Sequence, residues 1–308
     1  MKRLAAIIIF AAVSFQGFAQ GTAMDFIRAD RNPATLGAAG AGYASLSSGT
    51  AFSAFSNPAA VALSEHMVDA AGTFGLMPSG DAKASVFGGG TSVRLGHFGL
   101  SAGYLGSSYP QISLSSEGGG ASGSFTPKDM MLGLGLSYAF GDNLSFGVVA
   151  RYASQALDNK TTLSSISADI MAIYRLDALS VSAGVVGLGP KVESVSNRSY
   201  ALPASAKLAA AYRLGFGDFS ADIMADADYY FSGNFGAAAG AQMGYKDMAF
   251  LRTGYRFSSV KADFAAAPLP SFFSLGAGVK LYGVTLDAAF IMGGAATGTL
   301  AFSLGYRF

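Results

Sequence analysis

Three aspartates, Asp222, Asp226 and Asp228, stand at even spacing in the stretch SADIMADADYY. Residues two apart on a β-strand share a face, so all three carboxylates fall on one side. Two chemistries suit them: a patch that attracts cations or polar headgroups, and ion pairing with a neighbouring strand. A calcium site is disfavoured, because successive same-face residues stand about 7 Å apart, too far for two to chelate one ion unaided. A two-residue hairpin at Phe216-Gly217 sets Lys207 directly across from Asp226, which favours ion pairing. Arginines form a second group. Arg252 and Arg256 in FLRTGYRF share a face by the same count, and Arg151, Arg213 and Arg307 occupy the matching face of their own segments. They either steer a carboxylate-bearing lipid or hold another part of the chain through its carbonyls and Asp25 or Asp30. Carboxylates and carbonyls are the usual partners of buried arginine, so the second reading is preferred.

Catalysis has little to work with. The histidines are His66 and His97, neither beside a Ser or Asp constellation, and no HExxH, GxSxG or P-loop pattern occurs. With no cysteine there is no thiolate metal site and no disulfide. The reading is therefore not an enzyme, with no cofactor and no metal. A formal net charge of +1 leaves no basic stripe to track phosphates, so nucleic acid is excluded as a partner.

What must position these charges is a set of strands. The chain is 51% hydrophobic with mean hydropathy +0.38, yet after the N-terminus no apolar run reaches the length of a spanning helix. Charged residues are 13%, about half the usual share, and Gly fills 41 of 308 positions. From Met67 onward the sequence breaks into alternating segments of about 9 to 11 residues, the length of a tilted spanning strand, and there are about 14 of them. In MMLGLGLSYAF, Met130, Leu132, Leu134, Leu136, Tyr138 and Phe140 share one face, while Met131, Gly133, Gly135, Ser137 and Ala139 share the other.

The charges test this pattern, since a lipid-facing Arg or Lys at the midplane costs about 2 to 4 kcal/mol. Asp69, Arg94, Arg151, Asp169, Arg175, Lys207, Arg213, Asp222, Asp226, Asp228, Arg252, Lys280, Asp287 and Arg307 all lie opposite the apolar parity. Tight turns at Leu95-Gly96, Gly141 to Asn143, Leu176 to Ala178, Gly215 to Asp218, Lys246-Asp247 and Tyr282-Gly283 alternate with longer connections, notably Ser107 to Thr126, Gln155 to Lys160, Gly189 to Leu202 and Ser258 to Pro270. The fold class is thus all-β: a transmembrane up-and-down antiparallel β-barrel with both chain ends on the periplasmic, short-turn side. Aromatic girdles come from 24 Phe and 14 Tyr in the absence of Trp.

The two ends of the chain differ from the rest. Lys2 and Arg3 precede an apolar run from Leu4 to Phe15, and Gly17-Phe18-Ala19 suits a signal peptidase, which predicts a signal peptide over 1–19 cut before Gln20. Residues 20–66 lack alternation. In FSNPAAVALSE, Asn57 is a fitting helix N-cap, Pro58 suits the first helical position and Ala59 continues it, with a second Asn-Pro-Ala at Asn32 to Ala34. A barrel this wide leaks unless filled, so residues 20–66 are read as a helical or irregular plug in the lumen of the barrel formed by 67–308. The last segment, LAFSLGYRF, is the closing strand.

The stretch DFIRADRNPATLGAAGAGYASLSSGTAFSAFSNPAAVALSE resembles the N-terminal hatch of the FadL long-chain fatty-acid transporter superfamily, and within it the PorV/PorQ-like proteins of Bacteroidetes outer membranes. Arg31 followed by Leu36 to Gly40, then Gly42-Tyr43-Ala44 and Asn57-Pro58-Ala59 carry the likeness; it spans the mature chain in architecture and about 40 residues in motif. It implies a barrel in the bacterial outer membrane that passes hydrophobic or amphipathic small molecules, with the hatch as gate. Alternatively it implies a scaffold for type IX-like protein secretion that binds a secreted or secretion-system protein. Tyr306 and the terminal Phe308 resemble the signal read by the barrel assembly machinery. The chain departs from the family in its short length, modest external loops and second Asn-Pro-Ala.

Overall fold

The computed structural model describes residues 22–79, 81–115, 121–193, 199–259, 271–294 and 297–308. The expected signal peptide lies outside them. Strands β1 (Val68–Ser79), β2 (Ala82–Leu95) and β3 (Phe98–Ser108) open the wall, followed by a hairpin of β4 (Ile112–Ser115) and β5 (Ala121–Phe125) in the next connection. Wall strands β6 (Lys128–Phe140), β7 (Leu144–Ala156), β8 (Thr162–Leu176) and β9 (Leu179–Leu188) precede a second small hairpin, β10 (Val192–Glu193) with β11 (Ser199–Tyr200). The wall ends with β12 (Ser205–Phe216), β13 (Phe219–Tyr230), β14 (Phe235–Tyr245), β15 (Ala249–Ser258), β16 (Phe272–Leu281), β17 (Val284–Met292) and β18 (Leu300–Arg307). Fourteen of these strands, all paired antiparallel with their neighbours, close into one barrel in which β18 returns to β1.

Period-two alternation builds the wall. On β6, Leu132, Leu134 and Leu136 are exposed on the outside while Met131 is buried inside. Closure of the ring removes the sheet edges that would otherwise expose unpaired backbone. Phe98, Tyr138, Phe140, Phe216, Phe219 and Tyr245 form a girdle toward the tight-turn end, with ring centroids 4.8–6.0 Å apart between neighbours. The anticipated inward charges face the lumen: Asp169, Asp228, Asp226, Asp222, Lys207, Arg151, Arg252, Arg256 and Asp287 are all buried.

Turn chemistry fixes the register, and here one expectation fails. The β12–β13 loop is Gly217-Asp218, not Phe216-Gly217, so Phe216 pairs with Phe219 and Lys207 faces Asp228 rather than Asp226. Gly217 has φ +65°, and the first position of a two-residue hairpin loop is where positive φ favours glycine. Sliding the loop by one residue moves the partner of Lys207 by two. The opposite end of the barrel is less loopy than expected, because only residues 80–81 separate β1 from β2 and only residues 231–234 separate β13 from β14.

Residues 22–66 run inside the barrel. Ala23 N donates to Ala201 O beside the start of β12, which places Thr22 and Ala23 at the long-connection end. The chain descends to Ser47 and Ser48 near Arg307 at the tight-turn end, climbs to Ala54 beside Arg151, and descends again to Met67, whose N–H donates to Phe308 O. Thr22, the first described residue, and Phe308 therefore lie at opposite ends of the barrel, because this segment makes an odd number of lumen crossings before β1. The chain's N-terminal end, expected on the tight-turn side, lies outside the described residues. Two short helices punctuate it, Pro33–Leu36 and Ala59–Ala62. Each follows an asparagine whose Oδ1 accepts a backbone N–H two residues on, Ala34 N for Asn32 (3.1 Å) and Ala59 N for Asn57 (3.0 Å).

Candidate functional site

The lumen is filled by this segment, and the wall is shaped to receive it. Gly90 on β2 pairs with Gly103 on β3, which pairs with Gly133 on β6, which pairs with Arg151 on β7. Three inward positions in one row thus carry no side chain. A Cβ on Gly90 would collide with Ala51 O, one on Gly103 would collide with the Phe55 ring, and one on Gly133 would lie 2.9 Å from Ala54 O. The plug's Ala51–Phe55 stretch, including the 3₁₀ turn Ser53–Phe55, lies where wall side chains would otherwise stand. Sequence alternation could not reveal this row, since it requires the register of three strands at once; the Gly88-Gly89-Gly90 run and the inward parity of Gly133 are its traces in the sequence.

On the outer surface of the same wall lies a shallow, open apolar groove, floored by Ala70, Gly72, Gly89, Thr91 and Ala102 and flanked by Leu304 and Tyr306. Between groove and plug the barrel is one backbone thick.

Buried charges divide into those that hold the plug and those that hold the wall. Arg151 donates from Nε to Ala54 O (2.9 Å) and pairs with Asp169 on the neighbouring strand. Arg307 donates to Ser48 O (3.1 Å) and Ser47 O (3.5 Å). Asp226 accepts from the backbone N–H of Gly42 (3.1 Å) and Tyr43 (3.3 Å), and Asp222 accepts from Ser47 Oγ (3.1 Å). Asn57 donates to Tyr43 O (2.6 Å) and Ser182 Oγ (2.9 Å). Other charges pair within the wall, although Lys207 also stands 3.9 Å over the Tyr43 ring of the plug. Asp228 bridges Lys207 (2.5 Å) and Arg256 (2.7 Å), and Arg252 meets Asp287 and Gln242, each at 2.6 Å. Arg175 donates to Asp142 O (2.8 Å), and half-exposed Arg213 lies 3.9 Å from Asp222 and 4.0 Å from Asp247. Pinning of the plug by arginine therefore holds for Arg151 and Arg307; Arg252, Arg256 and Arg213 have acidic wall neighbours instead. Asp25 pairs with Arg28, and Asp30 accepts from Asn32 N and Thr35 Oγ1, so both serve the plug internally.

Burial leaves its mark on the plug's titratable groups. Desolvation raises the Asp30 carboxyl above its ordinary range against the pull of Thr35 and Asn32, and pushes the Tyr43 phenol up to about 12 although Lys207 lies 3.9 Å over its ring. Burial also lowers the Arg31 guanidinium. Arg31 meets only Met77 Sδ (3.1 Å) and Ser107 Oγ (3.4 Å), with no carboxylate within 4.0 Å among the described residues. A chamber of about 50 Å³ separates the upper plug from the wall, lined by Ile27, Leu36, Phe272, Lys207, Asp228 and Arg256. Among the described residues no group of three or more His, Asp or Glu side chains is placed to hold a metal ion.

A closed fourteen-stranded barrel whose lumen holds its own N-terminal segment defines a plugged barrel, and its fold is FadL-like. The structure is similar to that of a FadL homologue from Pseudomonas aeruginosa, at 14% identity over 95% of this chain and 100% of that one, with TM-score 0.58. It is similar also to the toluene transporter TodX of Pseudomonas putida, at 12% identity over 83% and 93% of the two chains with TM-score 0.58. A TodX mutant described as a monoaromatic hydrocarbon channel aligns at 13% identity over 83% and 93% with TM-score 0.54. By sequence, no family model and no curated protein matches the chain. At these identities the likeness establishes the fold.

Proposed function

We propose that this chain is an integral outer-membrane protein that passes small hydrophobic or amphipathic molecules across or into the outer membrane, with residues 22–66 as its gate. The observation that carries the reading is the in-register row of Gly90, Gly103 and Gly133, backed by the plug inside and by an apolar groove outside. Displacing Ala51–Phe55 would open the lumen beside a stretch of wall that carries no inward side chains. Transport of toluene by TodX, a barrel of the same fold, supports the substrate class. In this reading the tight turns and Phe308 face the periplasm, the exposed belt contacts outer-membrane lipid, and the assembly machinery engages Tyr306 and Phe308 on β18.

The test is solute flux in liposomes. The full mature chain should hold back small polar solutes while transferring a hydrophobic fluorescent probe, and deletion of Gly21 to Ser64 should raise leakage. Unchanged conductance after that deletion would count against a gating plug. Purification from native membranes in mild detergent addresses the secretion-scaffold reading of PorV type: a stoichiometric protein partner together with no probe transfer would replace the transport reading.

A further inference from the structure

Asp69 begins the barrel and Arg307 ends it, and the two stand opposite each other across the β1–β18 seam. Arg307 Nε lies 3.3 Å from Asp69 Oδ2. That carboxylate oxygen also accepts the backbone N–H of Thr50 at 2.6 Å, while the two Nη atoms of Arg307 donate to Ser48 O and Ser47 O. Thr50 Oγ1 reaches Ser92 Oγ on β2 at 2.7 Å. Gly49 lies between, with φ +85°, and a Cβ there would collide with Arg307 Nη2 and sit 2.7 Å from Asp69 Oδ2. The turn from Ser47 to Thr50 thus gives its carbonyls to the last strand and an N–H to the first.

Neither strand alone completes this site. Most other plug contacts described above use a single strand or consecutive ones, such as Asp226 on β13, Ser182 on β9 and Arg151 on β7. The Ser47–Thr50 site joins the two chain ends of the barrel. It also holds charges that each need the other, since removing one member of a buried pair strands its partner.

We infer that the Ser47–Thr50 turn is a closure strap, seated only after β1 and β18 have met, so that barrel closure and sealing of the lumen are one coupled event. Plug seating in turn reinforces the seam, because the backbone of the strap hydrogen-bonds charged groups that the seam alone leaves short of partners; Asp69 Oδ1 has none even when the strap is bound. This inference concerns assembly and stands whether or not the barrel transports anything.

The natural chain has no cysteine, so Ser48→Cys supplies a single reporter thiol in the strap. The full mature chain is refolded into lipid vesicles, and labelling by a soluble maleimide is followed beside the heat-resistant gel mobility of the closed barrel. Protection of the introduced thiol should develop no earlier than the heat-resistant band, and earlier protection overturns the inference. Two further variants, each carrying the same reporter, separate strap from seam. The swap Asp69→Arg with Arg307→Asp preserves the cross-seam pair but reverses donors and acceptors toward the strap. It should keep the heat-resistant band and label about tenfold faster, since labelling of a buried group follows its local opening. Gly49→Val leaves both charges in place and blocks the strap sterically. It should both speed labelling and lower the temperature at which the heat-resistant band is lost. Parental labelling in the swap, or an unchanged transition temperature in Gly49→Val, would show strap and seam to be independent.

Discussion

Phe55 occupies the space that a side chain at Gly103 would need: a Cβ there collides with the ring edge and lies 3.0 Å from Gly89 O. The wall of β3 takes its inner surface from the plug at that point. Gly103→Ala should therefore destabilise the seated state by about 1–3 kcal/mol through overpacking, and raise polar-solute leakage in liposomes. Adding Phe55→Ala removes the clash, so the double variant should lose less than the two single losses combined, as contacting residues do. Strict additivity in denaturant unfolding would argue that the ring and the glycine row do not interact.

Arg151 serves two partners, Ala54 O on the plug and Asp169 on β8. Asp169 is fully buried and also accepts Gly187 N at 2.8 Å. Arg151→Met strands that carboxylate and should cost about 3–5 kcal/mol. Combining it with Asp169→Asn keeps an acceptor for Gly187 and removes the orphaned charge, so most of the loss should return. If urea titrations find the double variant as weak as the single one, the bond to Ala54 carries the stability instead.

Asp30 gives the plug a pH dependence of known sign. Burial raises its pKa, outweighing the hydrogen bonds from Thr35 and Asn32 and the more distant Lys207 and Arg256. The neutral acid is then the form the folded plug prefers, so its contribution is fullest below the ordinary carboxylate pKa and is lost as pH rises through the raised value. Thermal transitions recorded from about pH 4 to pH 7 should fall with rising pH, and Asp30→Asn should flatten that slope. An identical slope in the variant would assign the dependence to other groups.

Phe308 closes the seam through its backbone. Its carbonyl accepts from Met67 N (2.8 Å) and Val68 N (3.0 Å), and its N–H donates to Val68 O (3.0 Å). Deleting it removes the contact between the last residue and the junction where plug becomes barrel. The deletion should reduce the fraction of chain that reaches heat-resistant form more than it reduces probe transfer by molecules already inserted. Equal insertion of the truncated chain would exclude an assembly role for the terminal residue.

Much of the barrel is legible in the chain because the side-chain period of a strand is two and lipid does not tolerate charge on the strand face it touches. Leu134 outside, Met131 inside, and Asp169, Asp287 and Arg252 toward the lumen all follow from parity. So do the closing strand Leu300–Arg307 and most tight turns. The helical turns after Asn32 and Asn57 were equally visible, since capping is a local contact between an asparagine and the second residue beyond it.

Tertiary structure decided whatever depends on register or on a path without period. Parity says that Lys207 faces inward, but which aspartate it meets turned on whether the hairpin loop was centred before or after Gly217. The glycine row needed β2, β3 and β6 aligned together, and each glycine by itself is only a small inward residue. The N-terminal segment, with no alternation to follow, could not declare how often it crosses the lumen, so the opposite placement of Thr22 and Phe308 emerged only from the packed barrel. Asp69 and Arg307, 238 positions apart in sequence, became neighbours for the same reason: closure of a sheet is a property of the whole ring, and no local pattern encodes what the first strand will touch when the last one arrives.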